Sequence, residues 1–392
     1  MMTIDVKELS RRTQNPKEST SYLTHNFHPY PAKFIPQIPS YFIEKFTKKN
    51  DVVLDPFCGS GSALVEALLL SRKAIGIDLH PIGVLATKVK TTKLKNGEIA
   101  KIQVVINKAG QEIDKYYNRD PIEAGSRLSY EIPEFYNRDH WFENNILHEL
   151  AIIKSVINES KISEELKDFL RLAMSSIVVL VSNQESETRY VAIKKNTEPR
   201  RALKLFIKKI NDMVERMKAF NAYATNEDIK VYQGDSRYID FIKDNSVDFI
   251  ITSPPYPNTY DYYLYHKQRM LWLDYDVKNV QDNEIGSRHK HSSKNEGINT
   301  YIDSMNLCFK QFSRVLKPNK YFVFIIGDSV INEERFDGYE ITKLLARGTS
   351  FCVEKQVMFD LDKTSRLFNQ AFRVKNKKEH FVVIKNKKAQ AV

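Results

Sequence analysis

The residues best suited to chemistry stand at Thr252-Ser253-Pro254-Pro255-Tyr256, directly after the apolar run Val247-Asp248-Phe249-Ile250-Ile251, which predicts a buried parallel strand. Two successive prolines remove two backbone donors and push Ser253 and Pro254 toward extended geometry, so the carbonyls past the strand end project without ladder partners. A rigid run of acceptors beside an aromatic ring suits a planar base whose exocyclic NH2 must react. The lone pair of such an amine is delocalised into the ring, which makes it a poor nucleophile. Hydrogen bonds from its two N–H groups to the Ser253 hydroxyl and to a carbonyl of the Ser-Pro-Pro run would draw the nitrogen toward tetrahedral geometry and aim that lone pair. Tyr256 would stack on the base. A Pro-Pro pair alone marks only a loop after a strand, and a second motif gives it more meaning.

That motif is Val53-Leu54-Asp55-Pro56-Phe57-Cys58-Gly59-Ser60-Gly61, an apolar strand turning through a glycine-rich loop into a helix that starts near Ser62. The glycines let backbone approach a ligand at a helix N-terminus. The pattern is neither a phosphate-binding P-loop nor a full dinucleotide fingerprint, which needs a third glycine. A second strand, Lys73 to Asp78, ends in an acid placed to accept both hydroxyls of a ribose. Together these describe a site for an adenosine-type cofactor. A third strand opens at Ile229-Lys230-Val231-Tyr232-Gln233 and leads through Gly234 to Asp235-Ser236, where Asp235 is placed to cap the next helix.

These residues resemble the S-adenosylmethionine-dependent amino-methyltransferases that modify DNA bases. Asp55-Pro56-Phe57-Cys58-Gly59-Ser60-Gly61 is similar to the family's cofactor loop, and Ser253-Pro254-Pro255-Tyr256 to its catalytic loop. Phe27-His28-Pro29-Tyr30-Pro31-Ala32-Lys33-Phe34-Ile35-Pro36 is similar to the segment that closes over the methionine end of the cofactor. The resemblance covers roughly residues 22 to 90 and 228 to 387 and has the cofactor loop ahead of the catalytic loop. It implies cofactor contacts from Tyr30, Pro31, Lys33, Phe34, Asp55, Pro56, Phe57, Gly59, Ser60, Gly61, Asp78, Asp235 and Ser236, with Asp235 near the adenine amine. It implies duplex DNA as substrate, and a restriction-modification role with a cognate endonuclease as partner. Ser rather than Asp or Asn ahead of Pro-Pro-Tyr is the form typical of enzymes acting on the N4 amine of cytosine; the N6 amine of adenine, or RNA, remains the alternative. A non-catalytic nucleic-acid binder on the same fold is the reading from a different class.

The elements that must position these loops follow from the rest of the chain. Its 392 residues suggest one large domain with an insertion, or two domains. Lysine and arginine exceed aspartate and glutamate by eleven, which favours a polyanionic partner. Cys58, Cys308 and Cys352 lack metal-ligand spacing, so neither a metal site nor a disulfide framework is expected. No apolar run approaches membrane-spanning length, and a soluble protein of a bacterial or archaeal cytoplasm is expected. Residues 1–20 are expected as a flexible arm, and the proline-rich stretch 29–39 as an extended strap. Residues 96–226 read as a helical insertion, with Ile146, Leu150, Ile153 and Ile157 at helical spacing; placed between the second and third strands of the core, it is one candidate target-recognition region, the loop after the catalytic motif being the other. Within it, the polar stretch 182–190 carries Arg189, either a connection or a substrate-facing loop. The tyrosine-dense run after Tyr256 offers Tyr260 and Tyr262 to DNA, and the basic stretch 286–294 offers Arg288 and Lys290 from a flexible loop. A turn is expected at Lys317-Pro318-Asn319, ahead of a strand from Tyr321, and a final antiparallel hairpin from Val353 to Phe359 and His380 to Lys385. The expected architecture is α/β: a Rossmann-like class I methyltransferase with a mixed seven-stranded sheet, an antiparallel last strand and a helical insertion. The catalytic domain comprises residues 21–95 and 227–392.

Overall fold

Every residue of Val247–Thr252 is buried, as required of a strand covered by helices on both faces. In the computed structural model, which describes residues 4–14, 19–31, 33–119, 130–293, 296–360 and 377–389, the strands in chain order are β1 (Val52–Asp55), β2 (Lys73–Asp78), β3 (Gln184–Ser186), β4 (Arg189–Ala192), β5 (Ile229–Gln233), β6 (Val247–Thr252), β7 (Leu316–Gly327), β8 (Ser329–Ile331), β9 (Glu334–Phe336), β10 (Phe351–Asp360) and β11 (Lys378–Asn386). Seven of them form one sheet in the order β10-β11-β7-β6-β1-β2-β5. The pairs from β7 to β5 are parallel, and β11 runs antiparallel to both β7 and β10. The seven-stranded mixed sheet and its closing hairpin are therefore as the sequence predicts.

The two-residue period of the strands sends alternate side chains into two cores. Phe249 and Ile251 face a core shared with the helices Gln37–Phe46 and Ser62–Leu69. Ile250 faces the other, filled by Met305 and Phe309 of helix Ile298–Val315 and Leu345 of helix Gly338–Ala346. Between β2 and β5 the chain leaves the sheet to form the helices Glu98–Tyr117, Asn144–Glu159, Glu164–Val181 and Arg201–Tyr223. Their apolar stripes join Val65, Leu85 and Val89 in a third core, so the insertion packs on helices that flank the sheet. Among the described residues no helix is long and apolar enough to cross a membrane.

Several local expectations are corrected. The first 20 residues include a helix, Val6–Gln14, because Ile4 and Leu9 bury against Tyr41 and Phe42. The strap stops at Pro36. Pro39 falls in the first turn of helix Gln37–Phe46, where a missing N–H leaves no bond unmade. Lys317-Pro318-Asn319 is an irregularity inside β7, where the register against β6 shifts and Asn319 takes φ +62°. The basic stretch after Gly286 forms a short helix, Arg288–Ser293, in place of a flexible loop; Lys294 lies outside the described residues.

Candidate active site

The C-terminal ends of β1, β2, β5 and β6 open into one cleft of about 840 Å³. The loop after β1 contributes Phe57, Cys58, Gly59 and Ser60; β2 ends in Asp78; Asp235 and Ser236 follow β5; Ser253 and Pro255 follow β6. Tyr30, Lys33 and Phe34 arrive from the segment ahead of the sheet. The three sequence motifs thus meet at the sheet edge where parallel α/β folds bind ligands.

Asp55, Pro56 and Gly61 stand behind the cleft wall and shape it. The Asp55 carboxylate accepts from the Thr252 hydroxyl at 2.7 Å and from Phe57 N at 3.2 Å, tying the glycine-rich loop to the end of β6. Burial lifts that carboxyl to about 7. The Ser236 hydroxyl donates to the Pro56 carbonyl and joins the β5 turn to the same loop. Gly61 holds φ +77° ahead of helix Ser62–Leu69, and a Cβ there would lie 2.7 Å from Thr87 Cγ2 and Oγ1.

The carboxylate of Asp78 accepts Gly59 N at 2.6 Å on one oxygen and His80 N at 2.8 Å on the other. Each oxygen keeps lone-pair capacity, as a ribose diol needs. Burial raises this carboxyl to about 6, opposed by those two N–H bonds. At the other end the wall holds the buried hydroxyls of Ser60 and Ser62, which have no partner among the described residues, and Lys33 donates to His25 O at 2.8 Å with its ammonium lowered by burial to about 8. Orphaned hydroxyls at a helix N-terminus, with a lysine on the same wall, fit an amino-acid carboxylate, and Asp78, 19 residues after Gly59, fits a ribose. The residues present therefore fit an S-adenosyl group. Asp235 is gripped by Arg237, with Nε at 2.9 Å from both oxygens, and its Oδ1 also accepts Arg237 N, so it caps the turn while facing the cleft.

Ser253 lies on the wall; Pro254 and Tyr256 do not. Tyr256, expected as the ring that stacks on a base, sits behind the loop at 6% exposure with its ring over Gly327. Its hydroxyl accepts from Ser253 Oγ at 3.3 Å and donates to Glu379 Oε1 at 2.8 Å. The aromatic wall is built from other residues. Tyr30 stacks on His266 at 4.8 Å and on Tyr262 at 6.4 Å between ring centroids.

Of the residues expected on DNA, Tyr262 belongs to the cleft wall, and Tyr260 is 2% exposed because Tyr262 and Tyr265 pack against its ring. Lys290 reaches back to the carbonyls of Asp282 and Glu284, stitching its helix to the wall. Arg288 and Arg189 are exposed, Arg189 pairing with Glu185 at 2.6 Å. Pro31 is buried just outside the wall. Sequence reasoning missed His80, Asn283, Glu284 and Glu379. Only His80, two residues after the strand-end acid, carried a positional signal. Glu284 accepts the N–H groups of Tyr262 and Tyr263 at 2.8 and 3.2 Å, and burial raises it to about 8.

A family model described as DNA methylase matches residues 5–86 and 247–391, more than half of the chain. A second, described as an RMKL-like methyltransferase domain, matches residues 46–127. The type II methyltransferase M.MvaI of Kocuria varians is 25% identical over 364 residues, which span 80% of this chain and 78% of that protein. M.MjaII of Methanocaldococcus jannaschii, also a type II methyltransferase, is 25% identical over 393 residues, 80% of this chain and 73% of its own. Among solved structures, an S-adenosylmethionine-dependent methyltransferase from Methanosarcina mazei aligns over 88% of this chain and 96% of its own, at 8% identity and a TM-score of 0.33.

Proposed function

The chain belongs to the DNA methylase family, whose methyl donor is S-adenosylmethionine, and from that premise we propose that it methylates the exocyclic N4 amine of a cytosine flipped out of duplex DNA. The observation that carries this reading is the placement of the Ser253 hydroxyl on the same cleft wall as Asp78 and the loop Phe57–Ser60. Asp78 would hold the ribose diol, Asp235 and Ser236 the adenine end, and Ser60, Ser62 and Lys33 the methionine end. The bound donor supplies a methyl group already activated on a sulfonium, so alignment matters more than a strong base. Ser253 Oγ accepts one amine N–H and a carbonyl of the Ser-Pro-Pro run accepts the other, which turns the nitrogen lone pair out of conjugation. A paired base, stacked inside its duplex, cannot enter the cleft to meet Ser253 on its wall, hence the flipped nucleotide.

The insertion 96–226 is the proposed target-recognition region, beside a catalytic domain of residues 21–95 and 227–392. Its β3–β4 hairpin is coupled to the segment after the catalytic loop: Glu187 pairs with buried Arg269 at 2.5 Å and Tyr190 accepts from Gln268 at 3.0 Å. Exposed Arg189 and Arg288 are the proposed phosphate contacts. Host protection beside a cognate restriction endonuclease is the proposed role, supported by the likeness to type II methyltransferases.

Ser253→Ala tests the assignment. It should lower single-turnover methylation of duplex DNA by about 10²-fold or more, the scale of one lost transition-state hydrogen bond, while leaving S-adenosylhomocysteine affinity near wild type. Unimpaired turnover, or a matching loss of cofactor affinity, contradicts it.

A further inference from the structure

We propose that Ser253, Tyr256 and Glu379 form a proton-exit chain, with Glu379 as the terminal acceptor of the proton that the target amine loses on methylation. The inference rests on the amine-methylating reading above. It accounts for a buried tyrosine and a buried acid which that reading leaves without a task.

The donor directions fix the chain. Ionised Glu379 has no proton and can only accept, so Tyr256 gives its one proton to Oε1 at 2.8 Å. Tyr256 must then accept from Ser253 Oγ at 3.3 Å. Ser253, its proton committed, turns its lone pairs to the cleft, where it can only accept the amine N–H. An ionised carboxylate thus decides which way a serine on the cleft wall points, through a tyrosine that is itself 6% exposed. The other oxygen, Glu379 Oε2, is buried with no partner among the described residues.

The chemistry balances. The amine lone pair forms the new N–C bond while the S–C bond breaks with its electrons going to sulfur, and the nitrogen is left cationic with one proton in excess. That proton passes to Ser253 Oγ, the serine proton to the Tyr256 oxygen, and the tyrosine proton to Glu379. Serine and tyrosine are regenerated, and one carboxylate becomes one carboxylic acid. Burial raises the Glu379 carboxyl to about 7, which makes it a far better proton acceptor near neutrality than an exposed glutamate. Among the described residues, the groups facing it are Tyr256 and Tyr260 from the segment after β6 and His380 beside it on β11, whose Nε2 lies 2.8 Å from Asp328 at the end of β7. The chain needs the ionised form, so turnover should rise as pH rises through about 7.

The test compares wild type, Glu379→Gln and Tyr256→Phe in single-turnover methylation of duplex DNA from pH 5.5 to 9. S-adenosylhomocysteine binding serves as the folding control. Wild-type rates should climb with pH and level off above about 7. Both variants should bind the ligand normally, turn over at least about tenfold more slowly at pH 8, and lose the limb near pH 7, keeping only the fall through about 6 that Asp78 imposes on cofactor binding. Infrared difference spectra of the protein alone should show a carboxylic-acid band titrating near pH 7 that Glu379→Gln removes. A Glu379→Gln enzyme with wild-type rate and pH profile overturns the chain and leaves the proposed function standing. A wild-type enzyme that methylates no DNA amine brings down both.

Discussion

Gly61 is the place where the cofactor loop has least room to change. The residue holds φ +77°, and an alanine there pays the left-handed penalty of about 1–2 kcal/mol. Its Cβ would also lie 2.7 Å from Thr87, closer than real Cβ contacts occur, so Thr87 must move. Moving it disturbs the bond from Thr87 Oγ1 to the Gly59 carbonyl at 2.9 Å, worth about 1 kcal/mol. Gly61→Ala should therefore destabilise the protein by about 2–3 kcal/mol. Gly97 supplies the control: its φ is +81°, but nothing lies within 4 Å of its added Cβ. Gly97→Ala should cost only the backbone term of about 1–2 kcal/mol and leave the cleft intact. Urea unfolding measures both costs. Titration with S-adenosylhomocysteine measures the consequence for the site, expected to be a loss of about tenfold or more for Gly61→Ala, since a displaced Gly59–Gly61 backbone worth 1.4 kcal/mol of contacts is a decade in affinity, and none for Gly97→Ala. Equal destabilisation by the two, or normal ligand binding by Gly61→Ala, refutes the reasoning.

Asp78 titrates near 6, and protonation turns one of its two acceptors into a donor, so S-adenosylhomocysteine affinity should weaken as pH falls through about 6. Asp78→Asn should bind more weakly at pH 8 and lack that dependence in calorimetric titrations; a wild-type affinity flat from pH 8 to 5 removes Asp78 from the binding site. Arg189→Ala and Arg288→Ala should each make log K for duplex DNA less steep in log salt by about 0.9. Unchanged slopes mean that these exposed arginines do not meet phosphate.

Proline and glycine made the core of the site legible. Their backbone limits are local, so Pro254-Pro255 and Gly59-Ser60-Gly61 announce loop geometry without knowledge of the rest of the chain. Asp78 was legible for a similar reason, as an acid closing an apolar strand. What stayed hidden depends on partners far along the chain. Tyr256 looked like an exposed stacking ring because nothing near it in sequence reveals Glu379, 123 residues away, which receives its hydroxyl. Tyr260 and Tyr262 carry the same local signature, yet packing buries one and gives the other to the cleft. Pro39 misled in the opposite direction: it forbids a helix interior but not a first turn, and where that turn begins is set by Ile38, Tyr41 and Phe42 burying together. The arm of residues 1–20 was read from its polar majority, and two apolar residues, Ile4 and Leu9, were enough to seat its helix Val6–Gln14.

The central claim is amine methylation of cytosine in DNA, and the product nucleoside tests it most directly. Duplex DNA of mixed sequence, incubated with the protein and isotope-labelled S-adenosylmethionine, is digested to nucleosides and analysed by mass spectrometry. The account predicts label in N4-methylcytidine of the deoxy series. Label in N6-methyladenine would contradict the choice of base while keeping the amine chemistry, and absence of transfer to DNA by a protein that binds the methyl donor would contradict the account itself.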